Sequence, residues 1–96
     1  MYGTVARMRL KPGAMDKMQE QMKAYEGLNV PGQVDTLIFQ MDQNANEIML
    51  VAVFEDKASY VKNAESPAQN ARYEGMRALL ESDPEWNDGE VIYQMK

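Results

Sequence analysis

Ile48-Met49-Leu50-Val51-Ala52-Val53-Phe54 is an unbroken run of seven apolar residues, and nothing else in the chain limits its fold as much. A strand with water on one side alternates in polarity, whereas a strand that does not alternate is covered on both faces. In a chain of only 96 residues such a strand must lie inside the sheet. Its neighbours say what stands beside it. Tyr2 to Lys11 alternates, with Thr4, Ala6, Met8 and Leu10 set against Val5, Arg7, Arg9 and Lys11, the period of a half-buried strand. Lys11-Pro12-Gly13 ends it, and the fixed φ of proline suits a first helical turn. From Ala14 to about Glu26, Met15, Met18, Met22 and Tyr25 recur at spacings of three and four, which makes one apolar helix face, largely of methionine. Gly27 is its expected stop.

Val30-Pro31-Gly32 turns the chain into a strand from Gln33 to Asp42. Gln43-Asn44-Ala45-Asn46 then closes a hairpin onto the apolar strand, Glu47 to Glu55. Asp56 caps a short helix through about Asn63. Ser66-Pro67-Ala68-Gln69 starts another, which runs to about Glu81 with Ala68, Tyr73, Met76, Leu79 and Leu80 inward. Ser82-Asp83-Pro84 stops it, Asn87-Asp88-Gly89 reads as a turn, and Glu90 to Met95 as a last strand. The order βαββαβ predicts one α+β domain over residues 1–96: a ferredoxin-like, four-stranded antiparallel sheet with its helices on one face. The first and third strands are expected at the centre. The other face of that sheet is too apolar for a lone copy, so a homodimer is expected.

Composition narrows the function. The net charge of −5 opposes nucleic acid and anionic membrane surfaces. No apolar stretch approaches the ~20 residues of a membrane span, and Arg7 and Arg9 follow the first residues too soon for a signal peptide. A cytoplasmic protein is the expectation. Cysteine and histidine are both absent, which removes disulfides, thiol chemistry, the commonest general base and the commonest metal ligand. The acids Glu81, Asp83, Glu85, Asp88 and Glu90 lack metal-ligand spacing, so no metal is expected. No phosphate loop or dinucleotide fingerprint is present.

Three stretches together resemble the antibiotic biosynthesis monooxygenase domain family. They are Val5-Ala6-Arg7-Met8-Arg9-Leu10-Lys11-Pro12-Gly13, Phe54-Glu55-Asp56-Lys57-Ala58-Ser59-Tyr60 and Ser66-Pro67-Ala68-Gln69, and Trp86-Asn87-Asp88-Gly89-Glu90 is similar to some members. The resemblance implies a dimeric α+β barrel and a small-molecule cavity beneath the helices. Characterised members include cofactor-independent oxygenases of aromatic polyketides and quinols, and haem-degrading oxygenases. The latter carry a first-strand asparagine, a tryptophan and a proximal histidine. Here Ala6 stands at the first position, Arg72 or Tyr73 replaces the histidine, and Trp86 lies beyond the later helix. Haem degradation is therefore not implied, and no cofactor is expected.

On the helix-covered face, Asn63, Tyr60 and Arg72 are the candidate catalytic residues. Met8, Met22, Tyr25, Tyr73 and Trp86 are the candidate substrate-binding residues. Each has a plainer role open to it. Methionines at helical spacing fill cores as readily as they line adaptable pockets. Asn63 can end its helix, Tyr60 can pack its ring with the hydroxyl in water, and Arg72 can snorkel. Tyr73 shares the inward stripe, and Trp86 can close a pocket or anchor a dimer contact. Arg7 and Arg9 are expected to pair with Asp35 and Glu47 at the interface. Two functions compete: a cofactor-independent monooxygenase acting on an aromatic or quinone-type molecule, and a non-catalytic dimer that sequesters such a molecule. An amino-acid-binding regulatory module also shares the Pro12-Gly13 turn, but the long split helical region argues against it. An RNA-recognition fold needs exposed aromatic and basic residues on its third strand, and this strand has no base.

Overall fold

The computed structural model describes residues 1–95. Seven elements follow one another: β1 (Tyr2–Arg9), α1 (Met15–Glu26), β2 (Gln33–Gln40), β3 (Glu47–Phe54), α2 (Lys57–Ala64), α3 (Pro67–Arg77) and β4 (Glu85–Glu90). The four strands form one sheet in the order β2-β3-β1-β4, every neighbouring pair antiparallel. The apolar strand β3 and the alternating strand β1 are central, as their patterns require.

Register decides which side chains face the helices. Ala6 stands opposite Leu50 and Trp86, Leu50 opposite Ile38, Thr4 opposite Ala52 and Asp88, and Met8 opposite Ile48. Because side chains alternate along a strand, these rows share the helix-covered face. Val5, Arg7, Leu37, Phe39, Met49, Val51 and Val53 share the other. That second face carries no helix, and Leu37 and Phe39 stand 51% and 52% exposed on it. Arg7 Nε lies 3.2 Å from Glu47 Oε1 and 4.0 Å from Glu85 Oε2. Within one copy, then, Glu47 pairs with Arg7, and Asp35 forms no ion pair among the described residues.

The core fills only part of the gap between sheet and helices. Ala6, Met8, Leu10, Ala14, Met18, Ile48, Met76 and Leu80 are buried together, near the end of β1 and the start of α1. An isolated bridge between Leu10 and Leu80 ties β1 to the chain after α3. Toward the start of β1, an aromatic cluster closes the gap instead. The Tyr60 ring meets Tyr2 at 5.3 Å and Phe54 at 5.6 Å, both edge-on, a favoured arrangement.

Caps set the helix boundaries. Asp56 accepts from the Ser59 amide at 2.7 Å and starts α2, while Ser66 accepts from the Gln69 amide at 3.1 Å and starts α3 behind Pro67. The third helix ends at Arg77 rather than near Glu81. Arg77 Nη1 donates to the Leu80 carbonyl and Nε to Asp83, so the next residues turn instead of extending the helix.

The last strand is displaced from its expected place. It covers Glu85–Glu90 and takes in Asn87-Asp88-Gly89, the segment whose composition reads as a turn. Two contacts explain this. Gly89 keeps a negative φ and pairs with Gly3, and the Asn87 amide donates to the Val5 and Glu85 carbonyls. Beyond Glu90 the partner strand β1 has run out, and among the described residues a bond from the Val91 amide to the Met1 carbonyl is what continues the pairing. Ile92 is accordingly 95% exposed.

Candidate functional site

A cavity of about 1240 Å³ lies between the helices and the sheet, beside the buried core. It exists because α1 and α3 converge over the Leu10 end of the sheet and leave β2 uncovered; every residue of β2 is exposed. Seven of the eight residues singled out from the sequence line this space: Tyr60, Asn63 and Arg72 among the polar ones, and Met22, Tyr25, Tyr73 and Trp86. The eighth does not. Met8 is 2% exposed within the core cluster, because its row against Ile48 lies under Met18 and Met76 rather than under the gap. Its role is packing.

Each element presents its side chain for a local reason. α2 is a two-turn helix held at its start by Asp56, which carries Tyr60 and Asn63 on one face. The Asn63 backbone carbonyl accepts from the Ser66 amide at 3.0 Å and helps end the helix. Its side-chain amide makes no hydrogen bond among the described residues, so helix termination uses the backbone and leaves the amide free in the cavity. Arg72, on α3, stacks over the Tyr25 ring at 5.8 Å and donates from Nε to Gln69 Oε1 at 3.0 Å. It forms no ion pair among the described residues, so its charge is held by an aromatic face and an amide. Burial pushes the Tyr25 phenol above its ordinary pKa, and the Arg72 charge partly offsets this. Trp86 stands on β4 with 45% exposure, its ring 6.1 Å from that of Tyr73.

Tyr60 is the most perturbed group. Its hydroxyl donates to Asp88 Oδ1 at 2.9 Å. Burial first, then the Asp88 carboxylate, push its pKa up to about 12. It is neutral at any physiological pH and serves as a hydrogen-bonding group, not as a base. Asp88 and Thr4 are among the lining residues not singled out from the sequence. Thr4 is the one polar residue in the inward register of β1, a signal that was visible. Asp88 was hidden because its tripeptide reads as a turn.

The sequence model of the antibiotic biosynthesis monooxygenase family matches residues 1–74. The chain belongs to this family. No curated protein matches the sequence significantly. Among solved structures, a mutant of SnoaB, a cofactor-independent oxygenase from Streptomyces nogalater, is similar over 98% of this chain and 95% of its own, at 17% identity and TM-score 0.83. A conserved protein from Methanosarcina mazei Go1 is similar over 92% and 89%, at 19% identity and TM-score 0.80. A protein of unknown function from Nitrosomonas europaea is similar over 99% and 92%, at 15% identity and TM-score 0.79. At such identities the likeness establishes a common fold. The family therefore supplies the architecture, and the residues around the cavity must supply the chemistry.

Proposed function

We propose that the protein is a homodimeric, cofactor-independent monooxygenase that holds an aromatic or quinone-type small molecule beneath its helices, in the cytoplasm. The convergence of Tyr60, Asn63 and Arg72 on one cavity carries this reading. The rest of the wall there is thioether and aromatic, which suits a flat ring system. A bound phenolate is electron-rich at ring carbon and can itself reduce dioxygen. A ring C–H becomes C=O, one oxygen atom enters the ligand, and the other leaves as water. The ligand supplies all the electrons, so no added reductant is needed. Arg72 and the free Asn63 amide are the groups that would stabilise the oxyanion as charge develops, and Tyr60 would orient the ring. SnoaB, a cofactor-independent oxygenase on the same fold, supports this choice of chemistry. The helix-free face, with Val5, Leu37 and Phe39 exposed, supports pairing with a second copy.

Oxygen uptake with a panel of naphthols and dihydroxynaphthalenes tests the proposal. Turnover by the native chain, lost in Asn63→Ala, is expected. A second reading, sequestration without turnover, is favoured by one observation: Tyr60 is tied to Asp88 and no histidine is available, so no evident base removes the ligand proton. Tight binding with no oxygen uptake would establish that reading instead.

A further inference from the structure

Resting on the aromatic-ligand reading, we infer that Arg72 receives a carboxylate carried by the ligand, which makes an aromatic acid the substrate class of the cavity. Six charged residues line that space: Lys23, Glu26, Asp35, Glu65, Arg72 and Asp88. Five of them are exposed, and Arg72 alone is half-buried. Its guanidinium meets no carboxylate among the described residues. A charge partly withdrawn from water without a counter-ion is unfavourable, so the site has an opening for an anion. Lys23, the other cation of the lining, is exposed to water, where a charge pair is worth little.

The surroundings hold the guanidinium ready without quenching it. Nε donates to Gln69 Oε1 at 3.0 Å, and the group lies over the ring of Tyr25, whose hydroxyl donates to the Arg72 carbonyl. Gln69 is the third residue of α3 behind the Ser66 cap, the place from which a glutamine ordinarily reaches back to the cap amide. Here the Ser66 amide is taken by the Asn63 carbonyl, and the Gln69 side chain serves Arg72 instead. A glutamate at this place would suit the cap equally and would neutralise the arginine. Glutamine fixes the orientation and leaves the charge unopposed. With Nε engaged, Nη1 and Nη2 make no hydrogen bond among the described residues. They form a planar fork whose complement is a carboxylate bound through both oxygens. A neutral carbonyl fills the same place with one oxygen and no charge. Where the carboxylate stands beside the ring hydroxyl, the guanidinium lies close to both, so holding the acid does not draw Arg72 away from the oxyanion it would stabilise.

Calorimetric titration of the full chain with 1-hydroxy-2-naphthoate and with its neutral amide, 1-hydroxy-2-naphthamide, tests this. The native protein is expected to bind the acid at least ~10-fold more tightly than the amide, the scale of a charge-assisted pair. Arg72→Gln is expected to abolish that preference, and Arg72→Lys, which keeps the charge without the fork, to retain part of it. Gln69→Glu supplies an internal counter-ion at a position where glutamate suits the cap. It is expected to weaken binding of the acid with little change for the amide, and it gives the same readout should Arg72→Gln not fold. Equal binding of acid and amide by the native protein, or a preference undiminished in the folded variants, overturns the anion subsite and leaves the aromatic-ligand reading standing. Binding of neither compound, nor of 1-naphthol, overturns both.

Discussion

Tyr60 shows how one side chain can serve packing and recognition at once. Its ring closes the aromatic cluster with Tyr2 and Phe54 while its hydroxyl is engaged with Asp88. Its folded pKa lies above the ordinary value, so the protonated phenol is favoured in the folded state. That contribution to stability is complete below pH ~10 and is lost as pH rises toward about 12. An ultraviolet tyrosinate titration of the five tyrosines should show a late component, to which Tyr25 also contributes, that is reduced in Tyr60→Phe. Asp56 runs the other way. Its carboxylate is held below the usual range by the Ser59 amide, so its capping contribution is present above pH ~4 and fades as pH falls through the lower folded value. Among the candidate catalytic residues, Asn63→Ala is expected to lower turnover ~10- to 100-fold with little change in melting temperature, because the amide it removes holds nothing in the fold. Steady-state kinetics beside a thermal melt would check this; equal losses in both would reduce Asn63 to a structural residue. Residue types and spacing sufficed to bring Asn63, Arg72 and Tyr73 to one cavity. They misplaced Met8, because periodicity fixes a face without saying how far along that face the core extends.

Elements were legible wherever caps and alternation agree. Ser66 and Pro67 announce α3, and Ser66→Ala is expected to cost about 1 kcal/mol by denaturant melt. The four-stranded order follows equally directly from β1 and β3. The last strand was legible only in part, since Asn87-Asp88-Gly89 has turn composition yet is held extended by contacts from residues more than eighty positions away, such as Val5. Long-range pairing overrides local preference there. Gly3 and Gly89, opposite one another, make the point testable. A Cβ at Gly3 would strike the Ala52 carbonyl, whereas one at Gly89 would meet open space. Gly3→Ala should therefore destabilise by ~1–3 kcal/mol, as overpacking does, and Gly89→Ala by much less. Similar melting curves for the two would show that the strand shifts to absorb the methyl.

For the whole molecule, the decisive asymmetry lies between the two faces of the sheet. One is covered by helices and hollowed by the cavity; the other carries Val5, Leu37, Phe39 and Val51 with no helix over them. The apolar run of β3 foretold this, since helices could account for only one of its faces. Sedimentation should find a dimer of the native chain, and Leu37→Asp should shift it to monomer with a lower melting temperature. A native monomer at all concentrations would refute the pairing. The methionine wall has a consequence of its own. Met15, Met18, Met22 and Met76 border the space in which oxygen would react, and thioether sulfur is easily oxidised to the sulfoxide. Peroxide escaping the ligand would meet these sulfurs before bulk water, and each sulfoxide would make the lining more polar and less hospitable to a flat ring. If the proposed oxygenation takes place, such a catalyst would age with use. Its working life would be counted in cycles rather than hours, and a reductase able to reverse the damage would reset the count.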